Sequence, residues 1–129
     1  MTKFNLSHNN IGDSGATSLA DALKSNKTLK TEFNLSHNSI GDNGAKSLAK
    51  VLKQCNNVLE VLNLSSNNVG EAGAESLIGA LRDNRNLSEL SLCGNNSIGK
   101  NAYAYLHKLA SSLDPVGRVI LPSPDKILL

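Results

Sequence analysis

The chain has 129 residues and a mass of 13.6 kDa, enough for one ordinary domain. Aromatic residues are only 3% of it, which argues against a nucleic-acid binder that stacks bases on aromatic platforms. A net charge of +2, carried by scattered Lys and Arg, gives no polyanion-binding patch.

No apolar run approaches the ~20 residues of a membrane span. The polar start is no secretory signal, and Cys55 and Cys93 form neither a disulfide framework nor a zinc spacing. A reducing, cytoplasmic setting is the expectation.

The first element is a strand around Phe4 and Leu6, which alternate with polar Asn5 and Ser7 as a half-buried strand requires. Ile11-Gly12-Asp13 follows, and Ala16, Leu19, Ala20 and Leu23 then recur at the spacing of one helix face. Asp13 stands where an N-cap would accept backbone N–H groups. The succession restarts at Phe33-Asn34-Leu35, with Asp42 and the helix face Ala45, Leu48, Ala49 and Leu52. It returns at Leu62-Asn63-Leu64, with Glu71 replacing the Asp and the face Ala74, Leu77, Ile78 and Leu81. The fourth copy opens on Leu90-Ser91-Leu92, and its helix degenerates to Ala102-Tyr103-Ala104-Tyr105-Leu106. Val119-Ile120-Leu121 supplies a fifth strand, and Pro122-Ser123-Pro124 stops regular structure.

Leu6, Leu35, Leu64, Leu92 and Leu121 are therefore equivalent, at intervals of 29, 29, 28 and 29 residues. With 28 as the base length, three units carry one extra residue: between Leu29 and Phe33, between Leu52 and Leu59, and between Leu92 and Ile98. Surface loops are where such insertions are tolerated. For the first, a bulge at Glu32 that re-aims the start of the strand is the alternative.

The pattern Leu59-x-x-Leu62-x-Leu64-x-x-Asn67, matched by Leu87-x-x-Leu90-x-Leu92-x-x-Asn95, resembles the leucine-rich repeat. The unit of 28–29 residues, with Ile-Gly-Asp-x-Gly-Ala before the helix, is similar to the ribonuclease-inhibitor-type subclass. The resemblance implies an α/β solenoid, a right-handed β-α superhelix with a parallel inner sheet and outer helices. Residues 1–121 form the array, with repeats near 4–32, 33–61, 62–89 and 90–118 and a closing strand at 119–121; residues 122–129 are a tail. It also implies that Asn9, Asn38, Asn67 and Asn95 form a buried ladder that hydrogen-bonds loop backbone. An Asn side chain both donates and accepts, as buried turn amides need, and losing one should cost about 1–3 kcal/mol.

Outward positions on the concave side form the candidate partner-binding surface: Asn5, Glu32, Asn34, Val61, Asn63, Glu89, Ser91 and Arg118, flanked by Lys3 and Ile120. Its central column is polar, uncharged and small. That column lacks the Trp, Tyr and Arg anchors that carry most interface energy, so a plain solvated face is the competing reading.

No catalytic constellation emerges. His8 and His37 are equivalent, yet the next positions are Ser66 and Gly94, which leaves two ligands where zinc needs three or four. Cys93 has no base placed beside it, and the glycines lack the Lys-Ser/Thr ending of a phosphate loop. Cofactors and metals are expected to be absent.

Solenoids normally need a capping unit at each end. The C-terminal end is expected to be closed, with Ile127, Leu128 and Leu129 over the last repeat. Nothing precedes Phe4 to cover the N-terminal edge, so the expectation is a piece of a longer array or self-association there.

The functional expectation is a non-catalytic protein–protein interaction module, with no nucleic-acid or membrane partner. The subclass implies intracellular settings, and the Asn- and Lys-rich composition points weakly to a bacterial effector delivered into a host cytoplasm. A regulator of an enzyme, such as a Ran-type GTPase-activating protein or an inhibitor, is the alternative.

Overall fold

The computed structural model describes residues 2–25, 31–55, 59–95, 97–113 and 117–122. Strands and helices alternate along it: β1 (Thr2–Asn5), α1 (Asp13–Ser25), β2 (Thr31–Asn34), α2 (Asp42–Cys55), β3 (Leu59–Asn63), α3 (Glu71–Leu81), β4 (Glu89–Ser91), α4 (Lys100–Leu113) and β5 (Val119–Ile120). All five strands pair in parallel, in chain order, within one sheet. Leu29, Val116 and the apolar tail residues Ile127, Leu128 and Leu129 lie outside the described residues, as do residues 56–58 of the second insertion.

Each unit buries the same rung. Leu35, Leu64 and Leu92 from the strand ends lie beside Leu48, Leu77 and Leu106 from the helices, all essentially inaccessible. Their first-unit equivalents Leu6 and Leu19 are only half-buried, and Phe4 is 47% exposed. The difference is positional, since the first rung has a neighbour on one side only. Phe4 rests edge-on against Phe33, ring centroids 5.4 Å apart.

The first insertion, read as a loop residue between Leu29 and Phe33, lies partly outside the described residues, and beside it the register of the sheet shifts. Thr31 pairs with Leu59 and Glu32 with Val61, so the extra residue in the sheet is Glu60 of β3. Thr31, Phe33 and Leu35 sit two apart and all face inward without a bulge. Leu59 and Leu62 are three apart and would face opposite sides of a regular strand, so one bulged residue returns both to the core. The shift therefore falls at the Thr31–Glu32 step of β2, opposite Glu60.

Helix capping also differs from the expectation. Asp13 and Asp42 are the first residues of their helices, and their carboxylates cap the following helix rather than their own. Asp13 Oδ1 accepts from Gly41 N (2.7 Å) and Gly44 N (3.0 Å). Asp42 Oδ1 does the same for Gly70 N (2.7 Å) and Gly73 N (3.0 Å). An anion is thereby placed on the positive end of the next helix, as the macrodipole favours.

The glycine of the motif makes this approach possible. A Cβ on Gly73 would lie 2.7 Å from Asp42 Oδ1 and 3.0 Å from both Ala45 Cβ and Val69 Cγ1. In the fourth unit both partners change together: Glu71 stands for the Asp and Ala102 for the glycine, and no such bond occurs there among the described residues. Gly79, also in α3, has open space where its Cβ would be. We expect Gly73→Ala to destabilise the chain by about 1–2 kcal/mol through overpacking. Gly79→Ala should stabilise it by about 0.5–1 kcal/mol through helix propensity. Paired thermal melts check both signs, and equal shifts would remove the steric role of Gly73.

Candidate binding surface

Five strands in parallel expose one face of the sheet, and the candidate residues fall on it in columns. Lys3 pairs with Glu32, Glu32 with Val61, and Val61 with Glu89. Asn5, Asn34, Asn63, Ser91 and Ile120 make the adjacent column. Asn5, Glu89 and Ile120 are exposed, whereas Glu32, Asn34, Val61, Asn63 and Ser91 are half-buried. Lys3 Nζ lies 3.9 Å from Glu32 Oε2, an exposed pair worth ~0–1 kcal/mol.

The central asparagines fold back on their own strand ends. Asn5 Oδ1 accepts from Ser7 N (3.1 Å) and Ser7 Oγ (2.6 Å). Asn34 Oδ1 accepts likewise from Ser36 N (3.0 Å) and Ser36 Oγ (2.6 Å). Asn63 Oδ1 takes Ser65 N at 3.0 Å, while Ser65 Oγ and Ser91 Oγ share a bond of 2.7 Å. These local bonds give the main chain an alternative to the ladder and end the strands there.

Arg118 is not part of this surface. Its guanidinium turns under the sheet, where one nitrogen donates to Asn84 O (2.6 Å) and Leu87 O (3.1 Å) and the other to Leu81 O (2.6 Å). It precedes β5 rather than lying in it, so strand parity does not fix its direction. Its charge serves the carbonyls at the end of α3.

Behind the sheet runs the asparagine ladder. Asn38 Oδ1 accepts from Asn9 N and Ile11 N of the preceding unit, both at 2.9 Å. Its Nδ2 donates back to Leu6 O and to its own Leu35 O, both at 3.0 Å. Asn67 and Asn95 repeat the pattern with Ile40 N and Val69 N as donors. Asn38 is half-buried and Asn9 departs furthest from the expected burial: it is exposed, and among the described residues its Nδ2 donates only to Ser7 O within its own turn.

Sequence reasoning missed a second buried amide, Asn84. Its Nδ2 donates to Leu52 O (2.9 Å) and its Oδ1 accepts from Asn86 N and Leu87 N (both 2.9 Å), and Asn84 itself is fully buried. A signal was present, since Asn26 and Asn84 both stand three residues after the last core leucine of a helix.

His8 and His37 do come together. Their rings stack with centroids 4.3 Å apart and planes 8° from parallel. A metal lies in the plane of each imidazole that holds it, and two parallel planes share no such point. Both residues have left-handed backbone, φ 59° and 55°, as do Ser66 and Gly94 at the equivalent turns. The turns at His8, His37 and Ser66 each aim an N–H at the next unit, as His37 N does at Ser65 O (3.0 Å). Among the described residues no three His, Cys, Asp or Glu converge on a common point.

Cys93 is half-buried and its thiol faces Leu121 O at 3.7 Å. A cleft of about 330 Å³ between α4 and β5 is lined by Tyr103, His107, Ala110, Ser111, Val119 and Leu121. His107 stacks on Tyr103 (5.8 Å), and the Ser111 hydroxyl donates to the His107 carbonyl, so this wall holds no nucleophile–base pair. No described helix is long and apolar enough to cross a membrane.

Comparison with known proteins fits this architecture. A family model described as "Leucine Rich repeat" matches residues 1–20, 25–49 and 55–77, more than half of the chain. The chain is a leucine-rich repeat protein. Among solved structures, this leucine-rich repeat chain is similar to "Leiomodin-1 Actin-Binding Site 2 (ABS2)", with a TM-score of 0.74 and 29% identity. The match covers 84% of the present chain and 63% of that one. No curated protein sequence matches.

Proposed function

We propose that this leucine-rich repeat chain is a non-catalytic protein-binding module that receives its partner on the concave sheet face. The contact would run through Asn5, Glu32, Asn34, Val61, Asn63, Glu89 and Ser91. Actin is the partner to test first. The observation that carries this reading is the 29% identity and TM-score of 0.74 to a domain named for actin binding. The sheet face supports it by offering a continuous polar surface across several strands. An actin partner would also set the module in the cytoplasm, and the 28–29 residue unit favours the ribonuclease-inhibitor-type subclass.

Sedimentation velocity of the 129-residue chain with monomeric actin tests the reading. A joint boundary, saturating at a fixed ratio and absent with the chain alone, is the expected outcome. Independent sedimentation of the two proteins at tens of micromolar would overturn the actin assignment. Concentration-dependent growth of the chain on its own would instead point to self-association through the β1 side.

A further inference from the structure

We propose that the concave face works as a row of hydrogen-bond donors, the Nδ2 groups of Asn5, Asn34 and Asn63, that grips the uncharged polar face of a partner helix lying across the strands. The proposal rests on the binding reading above and assigns it a chemistry.

The orientation of these amides is fixed by their neighbours. Backbone N–H groups only donate, so the atoms that meet Ser7 N, Ser36 N and Ser65 N must be the carbonyl oxygens Oδ1. Nδ2 is then the group left over in each case, and among the described residues none of the three has an acceptor in the chain. Asn34 and Asn63 are half-buried, so these donors are held in place rather than swinging in solvent.

Register places the three residues opposite one another on β1, β2 and β3. Neighbouring strands are ~4.8 Å apart, which sets the spacing of the donors. Same-side residues of an extended peptide recur every ~6.7 Å and fall out of step with that row. Side chains at i, i+3 and i+4 of a helix are ~5–6 Å apart and stay close to it over three contacts. The row of amides stops at β4, where Ser91 stands in the column and its hydroxyl shares a hydrogen bond with that of Ser65.

Charge narrows the partner further. Glu32 and Glu89 flank the row, and Glu32 is only partly offset by exposed Lys3. Carboxylates on the incoming helix would be repelled, so Gln, Asn, Ser or Thr are the acceptors that fit.

The probe is an alanine-based helical peptide with Gln at positions i, i+4 and i+7, set against the same peptide with Leu there. Side-chain NH₂ signals of Asn34 and Asn63 are followed by ¹H–¹⁵N spectroscopy of the 129-residue chain. We expect them to shift at millimolar Gln peptide and to remain unmoved by the Leu peptide. Asn34→Asp and Asn63→Asp each keep the oxygen that holds Ser36 or Ser65 and remove the donor. Each variant should keep the melting temperature within a few degrees and weaken the peptide at least tenfold. No shift with the Gln peptide, equal shifts with both peptides, or unweakened binding by the folded variants would overturn the donor row. These outcomes are separate from the actin measurement, so either idea can fail alone.

Discussion

Asn67→Ala should lower the stability of the chain by about 2–3 kcal/mol, in the upper part of the range for losing a buried hydrogen-bonding group. Asn67 is 5% exposed and serves two units at once. Its Oδ1 accepts from Ile40 N (2.9 Å), and its Nδ2 donates to Leu35 O (2.9 Å), Leu64 O (3.1 Å) and Ser65 O (3.3 Å). Alanine strands the buried N–H of Ile40 and leaves Leu35 O and Leu64 O with one donor each, from Asn38 and Asn95, and the leucines around them leave little room for water. For a chain of this length that loss corresponds to roughly 10 °C in Tm. Asn9→Ala is the internal control, because the Asn9 side chain is exposed and, among the described residues, bonds only Ser7 O; its expected cost is within ~0.5 kcal/mol. Equal losses at the two positions would mean that water replaces the buried amide as well as it does the exposed one.

That pair of residues also marks how far the sequence could be read. Asn9 and Asn67 are equivalent by spacing, and the spacing alone implies one role for both. What separates them is the presence of a unit on the far side, a property of the stack and not of the motif. The rung of leucines was legible for the opposite reason: alternation on the strand and the 3.6-residue period on the helix point the same side chains at one core. The caps were half legible. Asp before a helix announces a cap, but the carboxylate of Asp42 reaches Gly73, which is 31 positions onward, because helices in a solenoid begin side by side. The bulge at Glu60 follows from strand parity once Leu59 and Leu62 are both required inside, a test that counting insertions alone does not apply.

The concave surface was legible only as a list of outward positions. Cβ direction on a strand is fixed by parity, and the register sets Asn5, Asn34 and Asn63 in one column. The fate of their amide oxygens depends on the serine two residues on, which was visible in the sequence as the repeated Asn-Leu-Ser but carried no geometry. Long side chains escape parity altogether.

Arg118 is the clearest such case, and Arg118→Ala should cost about 2–3 kcal/mol. The last carbonyls of a helix have no partner within it, and α3 ends at Leu81 with its carbonyl turned toward the closing strand. One guanidinium covers that carbonyl and those of Asn84 and Leu87, so a single side chain ties β5 to the end of α3 and to the loop that follows. Charge-assisted bonds of this kind contribute more than neutral ones, and they complement the negative end of the helix. Alanine would leave three carbonyls to whatever water can enter, and Asn84, wholly buried, admits little. Lysine keeps the charge but concentrates it on one nitrogen, which cannot span three acceptors in a fixed fork. Arg118→Lys should therefore recover less than half of the loss in chemical denaturation. If Arg118→Ala unfolds at the same denaturant concentration as the parent, the guanidinium is no strut, and Arg118 returns to the concave surface as a candidate contact.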